Sequence, residues 1–294
     1  MGESLLSAPE VWRWPGCAGS ATPVSERPPG RWFAHHNRSS TGTLETMWWL
    51  AHGEDDVPAS TDWLSPHERD HLASIRFTKR RDEYVTRRWA TKQAIATVLE
   101  LDRAPAVLAR IEIRHRESGA PYVQLDGERA AVDVSMSDRS GWAVCLVGPP
   151  GTMASGTVGV DLEVVEPRSA RFVADYFTAG EQNYVRRLPT DRHDEAANLI
   201  WSAKEAALKV QQVGLRVDTR TVEVDFDHER QIDGWSAMTV TGRDGPMPGW
   251  WRRSGVFLLT IAFAEPADPP GLLATSSDLD AATPRHSWVR SPIC

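Results

Sequence analysis

Apolar and polar residues alternate over several short stretches of the chain. Val158, Val160 and Leu162 are interleaved with Gly159, Asp161 and Glu163, which is the period of a strand. Similar patterns predict strands near 47–52, 109–115, 121–124, 142–147, 157–163, 220–226, 235–241 and 256–263. A long basic helix is predicted from about 80 to 99, a helical stretch over 170–187 and a helix over 194–212. In the last of these, Leu199, Ala203, Ala206, Val210 and Val213 fall on one apolar stripe. The order strand, long helix, three strands occurs twice, although no repeat is visible residue by residue. It predicts two similar α+β lobes, one over 47–156 and one over 157–264. Ligands favour the crevice between lobes. Residues 1–46 are rich in Pro, Gly, Ser and Thr without a sustained period, and read as a disordered leader. Residues 265–294 lose periodicity, carry five prolines and read as a tail.

Composition narrows the classes. Of 294 residues, 41% are hydrophobic and 25% charged, as in globular proteins. The net charge of −7 argues against a nucleic-acid partner, whose phosphates need clustered Lys and Arg. The charge is uneven, however. Arg76, Lys79, Arg80, Arg81, Arg87, Arg88 and Lys92 crowd into one segment, which suggests a local anion site; a solvated helix face would read the same. Cys17, Cys145 and Cys294 lie far apart and form no zinc-binding spacing. No apolar run reaches the ~18 residues of a membrane span and no signal-peptide pattern is present, so a cytoplasmic protein is expected.

Two segments carry candidate chemistry. On a strand, residues i and i+2 point to one face, so Asp161 and Glu163 project together. Paired carboxylates repel unless water or a cation neutralises them, and hard oxygen donors suit Mg²⁺ beside substrate phosphates. A solvent-facing edge strand would show the same pattern. In the second segment, Trp201-Ser202-Ala203-Lys204-Glu205-Ala206-Ala207-Leu208-Lys209, Glu205 and Lys209 share a helix face opposite the apolar stripe. A surface ion pair is the plain alternative, but Trp201 on the same side means that this face is covered by something. Together, Asp161, Glu163 and Glu205 form a candidate three-carboxylate magnesium site, with Lys209 one helical turn from the third acid. Transfer from a pyrophosphate ester needs such a set: a metal on the pyrophosphate, a cation on the leaving phosphate and a base for the attacking hydroxyl.

Gly159-Val160-Asp161-Leu162-Glu163 and Trp201-Ser202-Ala203-Lys204-Glu205-Ala206-Ala207-Leu208-Lys209 resemble the paired signature of the 4′-phosphopantetheinyl transferases, G-[IV]-D-x-E followed by W-[ST]-x-K-E-x-x-x-K. The likeness is to the long, single-chain, pseudodimeric subclass and covers about 60–264. Ser65-Pro66 with Arg76-Phe77, Gly119-Ala120-Pro121-Tyr122 and Ser135-Met136-Ser137-Asp138-Arg139 resemble weaker blocks of the same family. The resemblance implies an α+β fold of two similar lobes in pseudo-twofold arrangement, each a long helix packed on a small, mostly antiparallel sheet. It implies a monomeric, Mg²⁺-dependent enzyme that moves phosphopantetheine from coenzyme A to a serine of an apo acyl or peptidyl carrier protein. By that resemblance Asp161, Glu163 and Glu205 ligate Mg²⁺, and Glu205, or a water that it orients, deprotonates the carrier serine. Lys209 assists the departing 3′,5′-ADP, and Lys204, Arg88 and Ser137 hold coenzyme A phosphates. The carrier would dock near Phe172, Tyr176, Phe177 and Arg186. Two positions depart from the family: Ala120 replaces a lysine and Asp138 a histidine, both of which touch the coenzyme's phosphates. Arg139, beside Asp138, is expected to supply the missing charge to the 3′-phosphate. Two other readings are a non-catalytic coenzyme A or carrier-binding protein of the same fold, and a magnesium-dependent hydrolase of pyrophosphate esters.

Overall fold

A computed structural model describes residues 47–148 and 158–285, all within one compact unit of the chain. The N-terminal half opens with β1 (Trp48–Gly53), followed by α1 (Pro66–Ser74), α2 (Thr78–Val98) and the single turn α3 (Pro105–Leu108). The strands β2 (Ile111–His115), β3 (Pro121–Leu125), β4 (Glu128–Arg129), β5 (Asp133–Arg139) and β6 (Trp142–Gly148) complete it. The C-terminal half runs β7 (Val158–Val164), α4 (Ala170–Tyr176), α5 (Ala179–Arg187) and α6 (His193–Val210). It ends with β8 (Glu223–Ile232), β9 (Trp235–Gly242), β10 (Gly245–Ser254), β11 (Phe257–Phe263) and the short β12 (Gly271–Leu272).

The strands form sheets ordered β12-β1-β6-β5, β2-β3-β4 and β7-β11-β10-β9-β8. Every pairing is antiparallel except β12 with β1. The long helix α2 packs on β1 and β6, and α6 packs on β7 and β11. The fold is therefore α+β, with a long helix on a small antiparallel sheet in each half, as expected.

Three cores follow from the alternation along the strands. Leu50 and Cys145 face Ala94 and Ile95 of α2. Leu258 and Ala262 face Leu199, Ala203 and Ala206 of α6, the stripe read from the sequence. The other strand faces meet each other: Trp49, Ala51, Val144 and Leu146 pack against Val158, Val160, Leu162 and Ile261. Thus β7 is covered on both sides, and all seven of its residues are buried.

Several elements differ from expectation. The stretch 170–187 is two helices, broken where Thr178 caps α5 through its own capping box with Glu181. Strand β10 escaped notice because Pro246 and Pro248 lie in it; both sit where β10 pairs with β9 alone, before pairing with β11 begins at Gly249. The segment after residue 264 is not a free tail as far as residue 285. Leu273 and Leu279 are buried, Ser277 N donates to Ala51 O at 2.8 Å, and Arg285 N donates to Ser140 O at 2.7 Å. The amides of Gly271, Leu273 and Ser277 donate to Met47 O, Trp49 O and Ala51 O along the edge of β1, which the proline count concealed. The expected leader, 1–46, lies outside the described residues.

Candidate functional site

A cleft of roughly 980 Å³ opens between the two halves. Its walls come from α2, the β2–β3 turn, β5, β7, α4 and α6, and include Arg88, Ser137, Arg139, Asp161, Glu163, Glu205 and Lys209. The volume suits a small-molecule ligand of nucleotide size. Across one end Ser118 Oγ donates to Gln212 Oε1 at 2.8 Å, so the β2–β3 turn and the end of α6 close that wall together.

The first motif owes its place to close approach. A Cβ on Gly159 would overlap the Ala206 carbonyl oxygen and lie 2.7 Å from Lys209 Cβ, so only glycine lets α6 settle against β7. That contact brings both signature segments to one spot. Asp161 Oδ1 accepts from Ser137 Oγ and Lys209 Nζ, each at 2.9 Å, while Oδ2 accepts from Ser202 Oγ at 2.9 Å. Asp161 is 3% exposed and Glu163 6%, which excludes a solvent-facing edge strand. Glu163 pairs with Arg139 at 3.0 Å and with Arg168 at 3.1 Å.

Electrostatics marks the acids as under-neutralised. Burial raises the Glu163 carboxyl to about 7; Asp161 adds to the rise, and Arg139 and Arg168 oppose it. Burial, then Asp161, lifts Glu205 to about 7 against the pull of Lys209. The other wall is cationic: His115 is pushed down to about 4, first by desolvation and then by Arg88 and Arg87. A cleft with an acidic floor and a basic wall can hold a cation and a polyanion side by side.

The donor chemistry of Asp161, Glu163 and Glu205 suits a hard divalent cation. The side chains are not arranged as an assembled site: among the described residues, no three His, Cys, Asp or Glu groups are gathered closely enough to hold a metal. Lys209, Arg139 and Arg168 engage Asp161 and Glu163 instead.

Other expected residues fall in different places. Arg88 lines the cleft, 5% exposed, 3.4 Å from Glu68 and stacked over Tyr84 at 4.5 Å. Lys204 does not reach the cleft. It is fully buried on the far side of α6, where it pairs with Glu181 at 2.8 Å and donates to Thr219 O and Val222 O. Adjacent helix positions point about 100° apart, so Lys204 and Glu205 cannot serve one ligand side by side. Arg139 lines the cleft and pairs with Glu163 and Glu166. Asp138 pairs with Arg87 of α2. Trp201 is covered by α4, where it meets Phe172 and Tyr176 at 5.1 Å each. Phe177 is a core residue, 0% exposed, and cannot face a partner; Tyr176 is 40% exposed and Arg186 is exposed. Sequence reasoning missed Arg168, Glu166 and Ser202. No periodic signal marks Arg168 or Glu166, since they lie in the loop after β7, but Ser202 stands inside the second signature.

Residues 157–234 match the ACPS family model, described as the 4'-phosphopantetheinyl transferase superfamily. The match supports a 4′-phosphopantetheinyl transferase. The matched segment contains Asp161, Glu163, Glu205 and Lys209, while Arg88, Ser137 and Arg139 lie outside it. Among solved structures, a holo-(acyl-carrier-protein) synthase from Bacillus anthracis str. Ames, in complex with CoA (3',5'-ADP), is 20% identical, with a TM-score of 0.30. That alignment covers 36% of this chain and 95% of the synthase. A holo-ACP-synthase from Plasmodium yoelii is 16% identical over 35% of this chain and 92% of its own, with a TM-score of 0.27. No curated protein matches the chain. Among the described residues, no helix is long and apolar enough to cross a membrane.

Proposed function

We propose that this phosphopantetheinyl transferase moves the 4′-phosphopantetheine group of coenzyme A onto a serine hydroxyl of an apo acyl or peptidyl carrier protein and releases 3′,5′-ADP. The observation that carries the reading is that Asp161, Glu163, Glu205 and Lys209 line the same cleft as Arg88. A hydrolase of pyrophosphate esters would share the acids but has no use for the exposed Tyr176 and Arg186 on α4 and α5.

Asp161, Glu163 and Glu205 would hold Mg²⁺, whose charge would neutralise the pyrophosphate. Glu205, half-buried on the cleft wall, would take the serine proton directly or through a water. Lys209 would meet the oxygen of the departing 3′,5′-ADP, where a fixed cation stabilises developing charge. Arg88 and Ser137 would orient the coenzyme's phosphates. The carrier would dock on α4 and α5 through Tyr176, the edge of Phe172 and Arg186. Carriers present acidic helices, and basic residues beside an apolar patch complement them.

The test is the intact mass of several apo carrier proteins after incubation with the chain, coenzyme A and Mg²⁺. A gain of one phosphopantetheine on the carrier serine supports the reading. No gain on any fatty-acid, polyketide or peptide-synthetase carrier overturns it.

A further inference from the structure

The two halves repeat one buried assembly atom for atom. In the first, Ser65 caps α1 and Glu68 closes the capping box: Glu68 N donates to Ser65 Oγ at 3.2 Å and Ser65 N to Glu68 Oε2 at 3.0 Å. In the second, Glu181 N donates to Thr178 Oγ1 at 3.2 Å and Thr178 N to Glu181 Oε2 at 2.8 Å. Each glutamate also receives a strand amide on Oε1, Ile113 N of β2 at 3.1 Å and Val224 N of β8 at 2.9 Å. Each pairs through Oε2 with a lysine of the long helix, Lys92 at 2.6 Å and Lys204 at 2.8 Å. Both lysines have 0% side-chain exposure and donate as well to backbone carbonyls near the next strand. One glutamate thus ties a short helix, a strand and the long helix together in each half.

The assemblies differ in what they present to the cleft. In the first half, Arg88 lies one turn before Lys92 and also approaches Glu68, at 3.4 Å. The matching position before Lys204 is Ile200, buried in the core. In the second half, the residue after Lys204 is Glu205, on the cleft wall; the matching residue after Lys92 is Gln93, which is buried and does not line the cleft.

We infer that Glu68 and Glu181 are matched positioning residues with separate tasks: Glu68 holds Arg88 toward the coenzyme, and Glu181, through Lys204, sets the rotation of α6 that aims Glu205. Neither glutamate touches substrate. The lysine of the second signature therefore serves as an anchor for its neighbour. This inference rests on the transferase reading above.

The experiment compares Glu68→Gln with Glu181→Gln. Both leave a buried lysine without its carboxylate, so both lower the melting temperature. A purely supporting role would affect function equally in the two. The positioning roles separate them. Glu68→Gln weakens coenzyme A binding, read by calorimetry, roughly tenfold and raises KM by the same factor with kcat little changed. Glu181→Gln leaves coenzyme A affinity within about twofold and lowers kcat roughly tenfold or more. If Glu181→Gln does not fold, Lys204→Met, which leaves Glu181 with its Thr178 and Val224 amides, carries the same expectation for kcat. Equal losses of affinity in both, or none in either, overturn the inference and leave the transferase reading standing. Wild-type chain that binds no coenzyme A sinks the transferase reading instead.

Discussion

Lys209 Nζ lies 2.9 Å from Asp161 Oδ1, so the cation suited to the leaving group is held by an acid suited to the metal. In this structure each neutralises the other. Asp161→Asn keeps the shape but removes the charge that both Lys209 and a divalent cation need. Transfer should fall by about a hundredfold or more, with secondary structure unchanged by circular dichroism. Near-normal turnover at low Mg²⁺ would show that the acid has been misassigned.

Glu205 gives the protein a pH dependence with a definite sign. Its carboxyl is raised to about 7 in the fold against 4.5 as a free side chain. The folded state therefore holds this proton more tightly than the unfolded chain does. This group stabilises the fold as pH falls from about 7 towards 4.5, and that contribution is lost as pH rises through 7. Without divalent metal, Glu205→Gln should melt higher than wild type near pH ~8, and the difference should shrink towards pH ~5. A difference that stays constant over that range would mean that Glu205 titrates normally.

Arg139 pairs with Glu163 and Glu166 beside the acids of the cleft. Arg139→Ala should depress use of coenzyme A and of 3′-dephospho-coenzyme A by the same factor, because both depend on the acids that it neutralises. Paired steady-state measurements with the two substrates decide this. A loss confined to coenzyme A would return Arg139 to the 3′-phosphate.

Residues 265–285 act as a strap along β1 that reaches the β5–β6 turn at Ser140, the residue after Arg139. A chain ending at residue 264 loses the burial of Leu273 and Leu279, each worth about 1.5–3 kcal/mol when complete. It also loses the Ser276 and Ser277 hydrogen bonds to β1 and the Arg285–Ser140 backbone bond. Its melting temperature should drop by at least ~5 °C. An unchanged melting curve would show that the segment adds nothing to the body.

Periodicity alone placed β1, α2, β7, α6 and β11 to within a few residues, because each buries an apolar face whose spacing is local. The acidic pair was legible for the same reason: Asp161 and Glu163 occupy alternate positions of a strand whose intervening positions are valine and leucine. The capping boxes Ser65-Pro66-His67-Glu68 and Thr178-Ala179-Gly180-Glu181 were also there to be read, but nothing local joins them to Lys92 and Lys204. Their common geometry becomes visible only when helix, strand and lysine meet. Which way a charged side chain turns depends on partners remote in sequence. Lys204 looks like a phosphate ligand until Glu181 is placed beside it. Phe177 looks like a docking residue until α5 and α6 close over it. The sequence determined the elements and the residue types of the site, since both follow from short-range patterns. The tertiary structure decided which charges face the cleft, because a buried charge must find its partner wherever the fold brings one near.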